Sequence, residues 1–583
     1  MSDPSLEQES IIDEALVPLC VIACAGSGKT FTAVRRIDSV RSRMSSGRGH
    51  VALLSFSNIA VDVFGKTYLE NIAGRSERSR VCIETFDGFI TTKILRPHAH
   101  RVMKCNCLPF LLTGTESFLS NWKYQFRQQG QQYPLPVENI EVELNNGVVN
   151  FFARYQKFAI TLENGPETVA RLGVVGGYTH NLGRYWAYEV LRQEPEILRA
   201  LAKRYSQVVI DEAQDVGSIH IAILNLLSNA GSQVTLIGDP HQAIYEFCGA
   251  DGAYLKDYPT RAGVKPKQLT VNRRSVPRIV AVANSLAKRA DTAFRLEPST
   301  VNGAYFVPYE KANESSIIAA FQKAVVDAGL SLSKSAIVCR ASEKKRELRN
   351  FGQEFGQGVT KQLAAAAMAR DSAIDYQEAF RTTARAIVSL LKSPPDHLCS
   401  RMLDVARYPE YRELRKFVWQ FARDAEIGLP SASLKTTSEW HPLLVARVKA
   451  LLKKLQDKFG YEEGPNLGQR LAKKKLSDEP MLEAIAKKTL VDPTLRIETI
   501  HGVKGESLDA VLYLAKKEHL KSLLEGTDTE VGRIGYVALT RARNLFWLGI
   551  TKVDAASYRS ALLAHSFVEH DYPSSEANIA AAQ

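Results

Sequence analysis

Three common features are missing from this sequence. No stretch of about 18 or more uncharged apolar residues occurs in it, so we expect no membrane-spanning helix. The first residues are acidic, with no basic segment before an apolar run, which argues against a secretory leader. The eight cysteines are scattered without a CxxC pair, which indicates free thiols in a reducing compartment and no zinc cluster. We therefore expect a cytoplasmic protein.

The composition is that of a globular protein with a basic surface. Hydrophobic residues make up 45% and charged residues 24% of the chain, which argues against a disordered or membrane-embedded protein. Its 583 residues are enough for several domains. The formal net charge of +12 favours an anionic partner, with nucleic acid ahead of an acidic membrane surface.

The sequence ACAGSGKT at residues 23–30 follows an apolar run and precedes a helical pattern. Backbone N–H groups of a glycine-rich turn and of a helix N-terminus bind phosphate oxygens. Lys29 would reach the β- and γ-phosphates, and Thr30 would offer its hydroxyl to Mg²⁺. Gly26 and Gly28 let the backbone approach the phosphates closely. The alternative, an ordinary turn with a surface lysine, fits GSGKT less well, so we predict a nucleotide site.

A second signal is VVIDEAQD at residues 208–215, an apolar run that ends in two acids. Such a run places carboxylates at the carboxyl end of a parallel strand, where ligands of open α/β sheets bind. Asp211 suits the Mg²⁺ shell, and Glu212 could polarise a water that attacks the γ-phosphate. On its own, the pattern is also typical of a solvated strand edge.

The order of apolar runs predicts two interrupted α/β domains. Parallel strands are predicted at residues 19–22, 51–56, 81–83, 207–210, 234–237, 336–339, 495–499, 510–514 and 545–549. The first domain would comprise residues 1–95 and 196–275 around an insertion at 96–195, with a helical stretch at 105–131 and a hairpin at 140–152 whose turn is Asn-Asn-Gly. The second would comprise 276–372 and 490–573 around a helical, basic insertion at 373–489, before a loose tail at 574–583.

Further motifs follow in a characteristic order: SFSNIAV at 55–61, TFDGF at 85–89, GDPHQAIYEFCGA at 238–250, NRRS at 272–275, TIHGVKGES at 499–507 and YVALTRAR at 536–543. With the phosphate loop and DEAQD, this set resembles the UvrD/Rep-type superfamily 1A DNA helicases over nearly the whole chain. The resemblance implies a P-loop NTPase with two RecA-like parallel-sheet domains, ATP and Mg²⁺ as cofactors, and DNA as the substrate.

The resemblance assigns roles around the nucleotide. The predicted nucleotide-binding residues are Gln8, Ala25, Gly26, Ser27, Gly28, Lys29, Thr30, Phe31, Arg273 and Glu506, with Gln8 reading adenine and Glu506 near the ribose. The predicted catalytic residues are Lys29, Asp211, Glu212, Gln242, Arg274 and Arg541, and the residues that would face the metal are Thr30 and Asp211. Arg274 and Arg541 would neutralise charge on the γ-phosphate. Either arginine taken alone could instead be a surface residue.

Two departures concern the adenine site. Members often have an aromatic residue where this chain has Arg273, and an arginine where it has Phe31. We hypothesise that the two walls of an adenine sandwich have exchanged residue types. Elsewhere, Asp87 and Cys248 stand where a histidine and an arginine are common, which puts two DNA contacts in doubt.

The sequence indicates less clearly which residues would bind single-stranded DNA; we call this set the DNA track. It comprises Phe56, Ser57, Asn58, Thr85, Phe86, Tyr245, Phe247, Thr499 and His501. Aromatic faces stack on bases without reading sequence. Core packing is the alternative for Phe56 and Phe86. Glu530 and Arg533 lie three apart and could pair on one helix face.

The leading hypothesis is an ATP-dependent translocase that moves 3′ to 5′ on single-stranded DNA and unwinds duplex at junctions. The alternative is a DNA-stimulated ATPase switch or motor in a repair or anti-phage defence complex, with a partner such as a nuclease. About forty residues follow Arg543, too few for a fused nuclease domain. Six lysines of the helical insertion would meet duplex DNA or form a solvated face: Lys449, Lys453, Lys454, Lys473, Lys474 and Lys475.

Overall fold

The structure is a computed structural model. It describes residues 3–44, 49–71, 80–112, 116–127, 135, 137–145, 147–155, 158–246, 249–296, 302–310, 314–349, 355–372, 375–395, 398–403, 408–486 and 494–571. Phe247, Cys248, Asn146 of the predicted hairpin turn and the predicted tail at 574–583 lie outside the described residues.

The strands are β1 Leu19–Ala23, β2 Val51–Ser55, β3 Val81–Thr85, β4 Phe110–Leu111, β5 Ile140–Asn145, β6 Val148–Tyr155, β7 Phe158–Thr161, β8 Gly177–Tyr178, β9 Gln207–Asp211, β10 Gln233–Gly238, β11 Lys265–Leu269, β12 Val271–Asn272, β13 Thr292–Ala293, β14 Gly303–Tyr309, β15 Ala336–Cys339, β16 Arg496–Thr499, β17 Leu508–Leu514, β18 Ala542–Thr551 and β19 Val568–Glu569.

The α-helices are α1 Leu6–Ile12, α2 Lys29–Arg43, α3 Asn58–Asn71, α4 Phe86–Phe89, α5 Arg96–Met103, α6 Gly165–Val174, α7 His180–Gln193, α8 Pro195–Arg204, α9 Ser218–Asn229, α10 Ala253–Asp257, α11 Pro277–Ala287, α12 Glu314–Asp327, α13 Ser342–Arg349, α14 Gly358–Asp371, α15 Tyr376–Ser389, α16 Leu398–Leu403, α17 Arg412–Arg423, α18 His441–Phe459, α19 Leu467–Arg470, α20 Met481–Ala486, α21 Lys517–Leu524, α22 Glu530–Arg541 and α23 Lys552–Ala564.

Short helical turns connect these elements. The 3₁₀ turns are Ser117–Ser120, Trp122–Tyr124, Val137–Asn139, Ala213–Asp215, Pro240–Gln242, Tyr258–Thr260, Leu332–Lys334, Pro409–Tyr411 and His501–Val503, and the π-helical turns are Ile90–Leu95 and Thr436–Trp440.

The chain forms two compact units. The first comprises residues 1–308 and 500–570, and the second comprises 309–499 and 571–583. The predicted boundaries of the two α/β domains and their insertions are finer than this division and stay a prediction.

A six-stranded parallel sheet organises the first unit, in the order β11-β1-β10-β9-β2-β3. Its central strands are apolar and buried, as in β1 and β9, because helices cover both faces of such a sheet. Strands β1, β2, β3, β9 and β10 each lead directly into one of the motifs described above. Since parallel strands all point the same way, the motifs meet along one edge of the sheet.

The segment after Ile500 adds more parallel structure to the same unit. Strand β17 pairs with β18, and β14 pairs with β19, in both cases parallel. Helix α22 carries the sequence YVALTR and begins after Thr529, whose hydroxyl accepts a hydrogen bond from the Gly532 N–H. This helix ends at Arg541, and β18 begins at the next residue. The last residues of α22 are therefore positioned by the sheet that contains β17 and β18.

The second unit contains the parallel pair β15 and β16 and a mostly helical region. In that region, helices α14, α15, α17 and α18 pack around a buried apolar cluster that includes Leu363, Ile387, Trp440 and Leu452. The predicted mixed α/β fold class with parallel sheets is confirmed, and each predicted strand is present with small shifts at its ends.

The stretch predicted as helical at 105–131 is different. Among its described residues the structure has strand β4 and two 3₁₀ turns, not a helix. Pro109 lacks an N–H for a helical hydrogen bond, and the Asn121 side chain caps the second turn. The hairpin at 140–152 is present as antiparallel β5 and β6, and β7 extends it to three strands.

Candidate functional site

The phosphate loop connects β1 to α2. Gly26 and Gly28 adopt φ values of +69° and +84°, a region that side chains with a Cβ rarely enter. A Cβ on Gly26 would lie 2.5 Å from the Cβ of Arg274, so the chain from β12 packs directly on this turn. The Arg273 N–H donates a 2.9 Å hydrogen bond to the Gly26 carbonyl. The loop and the NRRS motif therefore form one structure.

Gln8 lies against the same loop. Ser5 and Gln8 cap each other at the start of α1, and the Gln8 amide donates a 3.2 Å hydrogen bond to the Ser27 carbonyl. A Cβ on Gly28 would come within 2.8 Å of that amide nitrogen. The residue predicted to read adenine is thus held at the rim of the phosphate loop.

Asp211 and Glu212 lie at the carboxyl end of β9. Asp211 is 2% exposed, and its Oδ1 has no hydrogen-bond partner among the residues that the structure describes. Burial raises the pKa of Asp211, and the Glu212 carboxylate adds to this effect. A buried carboxylate oxygen without a donor suits a cation, which is what the predicted metal role requires.

Glu212 has an unusual backbone for a residue that is not glycine. Its φ is +53° and its ψ is +43°, in the left-handed region, which costs about 1–3 kcal/mol and is common at functional sites. Gln214 donates a hydrogen bond to Glu212 Oε2, and its side-chain oxygen accepts one from the Asp239 N–H. Burial opposes ionisation of Glu212, but the Lys29 and Lys504 ammonium groups outweigh it and hold its pKa below the ordinary value.

Asn272 positions the arginines of the NRRS motif. Its side-chain oxygen accepts hydrogen bonds from the N–H groups of Arg274 and Ser275, each 2.9 Å long. The Arg274 guanidinium donates a 2.9 Å bond to the Thr540 carbonyl at the end of α22. Burial and the neighbouring Arg541 charge lower the pKa of Arg274 to about 9.

Arg541 is buried and bonded to the GDPHQ segment. Its Nη2 donates a 2.7 Å hydrogen bond to Gln242 Oε1, and Gln242 Nε2 donates a 2.7 Å bond to Asp239 Oδ2. Burial lowers the pKa of Arg541, and the Glu212 carboxylate opposes this shift. A guanidinium confined in this way is a charged group well placed to bind an anion.

Several of these residues line a cleft of about 270 Å³, although Gln8, Asp211 and Asn272 are not among its lining residues. Its walls are Gly26, Ser27, Gly28, Lys29, Thr30, Glu212, Gln242, Arg273, Arg274, Gly505, Ser507, Arg541 and Arg543. Glu506, predicted near the ribose, is not among the lining residues that the structure describes, although its two neighbours are. Its carbonyl oxygen instead lies 3.5 Å from Arg541 Nη1.

Phe31 and Arg273, the two residues predicted to sandwich adenine, each form a cation–π contact: the aromatic Phe31 with an arginine, and Arg273 with an aromatic residue. The Arg35 guanidinium lies 5.2 Å from the ring centroid of Phe31, and the Arg273 guanidinium lies 4.6 Å from that of Phe294. Phe294 is 62% exposed. Sequence reasoning missed Phe294, since it belongs to none of the motifs.

The predicted DNA-binding aromatic residues that directly follow β2 and β3, Phe56 and Phe86, form a cluster with His220. Phe56 packs edge-on against Phe86 and against His220 of α9, with ring centroids 6.0 Å and 5.5 Å apart. Phe86 is 1% exposed, so it is a core residue on which Phe56 packs. Phe56 is only partly buried.

The polar members of this part of the track cap helices. The Ser57 hydroxyl accepts a 3.1 Å bond from the Ala60 N–H at the start of α3, next to exposed Asn58. The Thr85 hydroxyl accepts a 3.0 Å bond from the Gly88 N–H at the start of α4. Local capping therefore explains both hydroxyl residues without DNA.

Asp87 takes part in a cluster that the sequence did not reveal. Its carboxylate accepts bonds of 2.8 Å and 2.6 Å from Arg184 of α7 and lies 3.1 Å from His220 Nε2. Burial opposes ionisation of Asp87, but these bonds hold its pKa well below the ordinary value. Burial lowers the pKa of His220.

Tyr245 and His501 approach each other from distant parts of the sequence. Their ring centroids are 5.8 Å apart, and His501 Nε2 donates a 3.2 Å bond to the Ile244 carbonyl. Thr499 belongs to the second compact unit, where its N–H donates to the Glu498 carboxylate.

Arg533 does not pair with Glu530, as helical spacing suggested. It is buried, donates to the Ala243 carbonyl, and forms its ion pair with Glu246. Helical spacing alone cannot reveal that this face of α22 is covered by the segment after Gln242.

Two further results concern metal and membrane. Among the described residues, no group of three or more His, Cys, Asp or Glu side chains is arranged to hold a metal ion. Thr30 and Asp211 would suffice for Mg²⁺, which commonly takes one or two protein ligands together with phosphate oxygens and water. Within the described part of the chain, no helix has both the length and the apolar character needed to cross a bilayer.

A glycine-rich phosphate loop, two carboxylates at the end of a neighbouring strand and two arginines, Arg541 buried and Arg274 half-buried, are typical of a P-loop nucleotide-binding site. Residues 5–260 match the family model for the UvrD/REP helicase N-terminal domain. This match, together with similarity to proteins named "DNA helicase II", supports the resemblance to the UvrD/Rep-type superfamily 1A helicases that the ordered motifs indicated.

Three relatives illustrate the similarity. The chain is 22% identical to "Putative ATP-dependent DNA helicase YjcD" of Bacillus subtilis over 62% of its own length and 54% of the relative's. It is 24% identical to "DNA helicase II" of Escherichia coli over 70% of its own length and 58% of the relative's. A shorter match, 29% identical, covers 22% of this chain and 11% of "RecBCD enzyme subunit RecB" of Borreliella burgdorferi. The chain thus spans only somewhat more than half of the first two relatives.

Proposed function

We propose that this protein hydrolyses Mg²⁺·ATP to move along single-stranded DNA, 3′ to 5′, and to unwind duplex at junctions. One observation carries the proposal: Lys29, Glu212, the half-buried Arg274 and the buried Arg541 line the same cleft. Arg541 is far from the phosphate loop in sequence, yet it lines the same cleft as Lys29 and Arg274. A shared anionic ligand would account for so much positive charge in one cleft.

The residues present fit a triphosphate. Gly26 and Gly28 adopt positive φ values that a residue with a Cβ rarely adopts, and the N–H groups of such a turn can bind phosphate oxygens. Lys29 at the start of α2 adds positive charge. Bound Mg²⁺ would neutralise developing charge on the phosphates. The Thr30 hydroxyl would hold it together with Asp211 Oδ1, which has no partner among the described residues. The predicted ligand set therefore agrees with the donors that the chain supplies.

Glu212 would position the attacking water. Its left-handed backbone and the hydrogen bond from Gln214 fix the direction of its carboxylate, and its lowered pKa keeps it ionised and able to accept a proton. Arg274 and Arg541 would stabilise the charge that develops on the transferred phosphoryl group.

Gln242 would report the state of the nucleotide. In this structure its side chain connects Arg541 to Asp239. A γ-phosphate in the cleft would compete for Arg541, so binding and hydrolysis would alternately break and restore this connection. Tyr245 lies three residues after Gln242. A shift of Gln242 on nucleotide binding or hydrolysis would therefore be passed to Tyr245 in the DNA track.

For the DNA track we propose that Phe56 and Tyr245, both partly exposed, stack on bases, while buried Phe86 supports Phe56. The sugar-phosphate backbone of the DNA would be contacted by the polar side chains of Ser57, Asn58, Thr85 and His501. This arrangement binds single strands without reading their sequence.

The decisive experiment is strand displacement on duplexes with a 3′ or a 5′ tail, comparing the intact protein with Lys29→Ala. Unwinding from the 3′ tail alone, abolished by the substitution, supports the proposal. ATP hydrolysis without displacement on either tail would instead support a DNA-stimulated ATPase that serves a larger complex. Absence of nucleotide binding would overturn both.

A further inference from the structure

Lys504 connects two parts of the first unit that the motifs treat separately. Its Nζ lies 2.8 Å and 2.6 Å from the two carboxylate oxygens of Asp215. The Lys504 side chain is 9% exposed and that of Asp215 is 5% exposed. Buried ion pairs of this geometry resist disruption, because separating them leaves an uncompensated charge.

On one side, this ion pair is bonded to the main chain of Glu212, the proposed catalytic residue. Asp215 ends the 3₁₀ turn that starts after Glu212, and its N–H donates a 2.9 Å bond to the Glu212 carbonyl. Burial raises the pKa of Asp215 to about 6, and Lys504 opposes that shift. A displacement of Lys504 would therefore remove the partner that favours ionised Asp215, whose N–H is bonded to the Glu212 carbonyl.

On the other side, the same ammonium contacts the proposed DNA track. Lys504 Nζ lies 4.4 Å from the ring centroid of Tyr245, within cation–π distance. The 3₁₀ turn that precedes Lys504 holds His501, whose Nε2 donates to the Ile244 carbonyl. The segment around Tyr245 thus contacts both His501 and Lys504.

We propose that Lys504 is a coupling residue, which transmits base stacking on Tyr245 to Asp215 and so to Glu212. This inference rests on the proposed function and deepens it. A base on the solvent-facing side of Tyr245 changes the position of the ring, and the ammonium must follow the ring or weaken one of its two contacts. By linkage, the nucleotide state must in turn change the affinity for single-stranded DNA.

The test is the ratio of ATP hydrolysis rates with and without oligothymidylate. In Lys504→Met, we expect the ratio to fall about fivefold or more, the usual lower range of coupling between sites. Lys504→Arg, which keeps a positive charge beside Asp215, should restore part of the lost stimulation by DNA. Lys517→Met, which alters an exposed lysine at the start of α21, should behave like the intact protein.

A double-mutant cycle separates coupling from simple structural support. Tyr245→Leu should lower the ratio as well, and Lys504→Met combined with Tyr245→Leu should lower it no further. Because Tyr245→Leu alters a partly exposed ring and leaves the ion pair intact, it remains informative if Lys504→Met fails to fold.

The outcomes distinguish this inference from the function on which it rests. If the intact protein shows no stimulation by DNA, the proposed function fails and the inference with it. If the intact protein is stimulated and Lys504→Met keeps the full ratio, or if the two substitutions act additively, only the role of Lys504 is overturned.

Discussion

Arg541 Nη2 donates a 2.7 Å hydrogen bond to Gln242 Oε1, although 299 positions separate the two residues. Both side chains are 2% exposed. The bond joins the last motif of the chain to the segment that leads to Tyr245. A buried guanidinium held by a neutral amide is poised to exchange that amide for a phosphate, which is a stronger partner.

Arg541→Ala should lower the kcat of ATP hydrolysis about 10³-fold or more, as expected for loss of an arginine that stabilises the transferred phosphoryl group. The measurement is steady-state ATPase activity in the presence of single-stranded DNA. Arg559→Ala is the matched control, because Arg559 pairs with Glu569 on the surface of the same unit. A kcat that Arg541→Ala leaves unchanged would contradict the proposed role.

Gly26→Ala should abolish ATP binding, because the new Cβ would lie 2.5 Å from the Cβ of Arg274. Gly263→Ala controls for backbone strain alone. Gly263 also has a positive φ, +80°, but no atom of the described residues lies within 4 Å of the position that its new methyl group would take. We expect about 1–2 kcal/mol of destabilisation from the left-handed backbone in both variants, and loss of nucleotide binding only in the first. Binding would be measured by fluorescence of an ATP analogue, and stability by thermal unfolding.

Phe31→Ala should weaken ATP binding by about 1 kcal/mol or more, the usual contribution of a base stacked on an aromatic ring. Affinity for single-stranded DNA should not change. Trp122→Ala is the control, since Trp122 lies under Arg127 at 4.6 Å, in a similar cation–π contact outside the cleft. Equal ATP affinity of Phe31→Ala and the intact protein would reject the exchanged adenine walls.

His220 should make the folded protein less stable as the pH falls below about 6.5, the ordinary pKa of histidine. Burial lowers the pKa of His220, so the unfolded state binds more protons in this range and gains stability relative to the folded state. Asp87 and Arg184 face His220, and Asp87 opposes the shift without cancelling it.

Thermal unfolding between pH 8 and pH 5 measures the effect, and His220→Gln should flatten the dependence. His180→Gln, at the exposed start of α7, should leave it as it is. An unchanged slope in His220→Gln would show that folding does not lower the pKa of His220.

Glutamine in place of Lys449, Lys453 and Lys454 should reduce unwinding while ATP hydrolysis on single-stranded DNA is retained, if α18 contacts duplex. All three side chains are exposed. Lys392→Gln and Lys416→Gln are controls, because these exposed lysines of the same unit pair with Glu462 and Glu413. Equal unwinding by all variants would mean that the lysines form only a solvated face.

Much of this arrangement could be predicted because it is local in sequence. The apolar runs of β1, β9 and β10 and the motifs at their ends follow from the alternation of strand and helix. Lys29, Glu212 and Arg541 share a cleft, as the order of motifs implied.

What could not be predicted depends on contacts between distant segments. Helical spacing suggests Glu530 as the partner of Arg533, but tertiary packing gives it Glu246. Phe294 and Arg184 lie in no motif, and their contacts with Arg273 and Asp87 follow only from the fold. The prediction of a helix within 105–131 is wrong because aromatic residues of that stretch pack together and into the core without one.

The first unit is assembled from two pieces of chain, residues 1–308 and 500–570, and Arg541 belongs to the later piece. During synthesis on the ribosome, the phosphate loop and both carboxylates emerge long before the arginine that completes their cleft. If the proposed function holds, a nascent chain can form its phosphate loop early but reaches the full rate of ATP hydrolysis only after the segment that carries Arg541 has been translated.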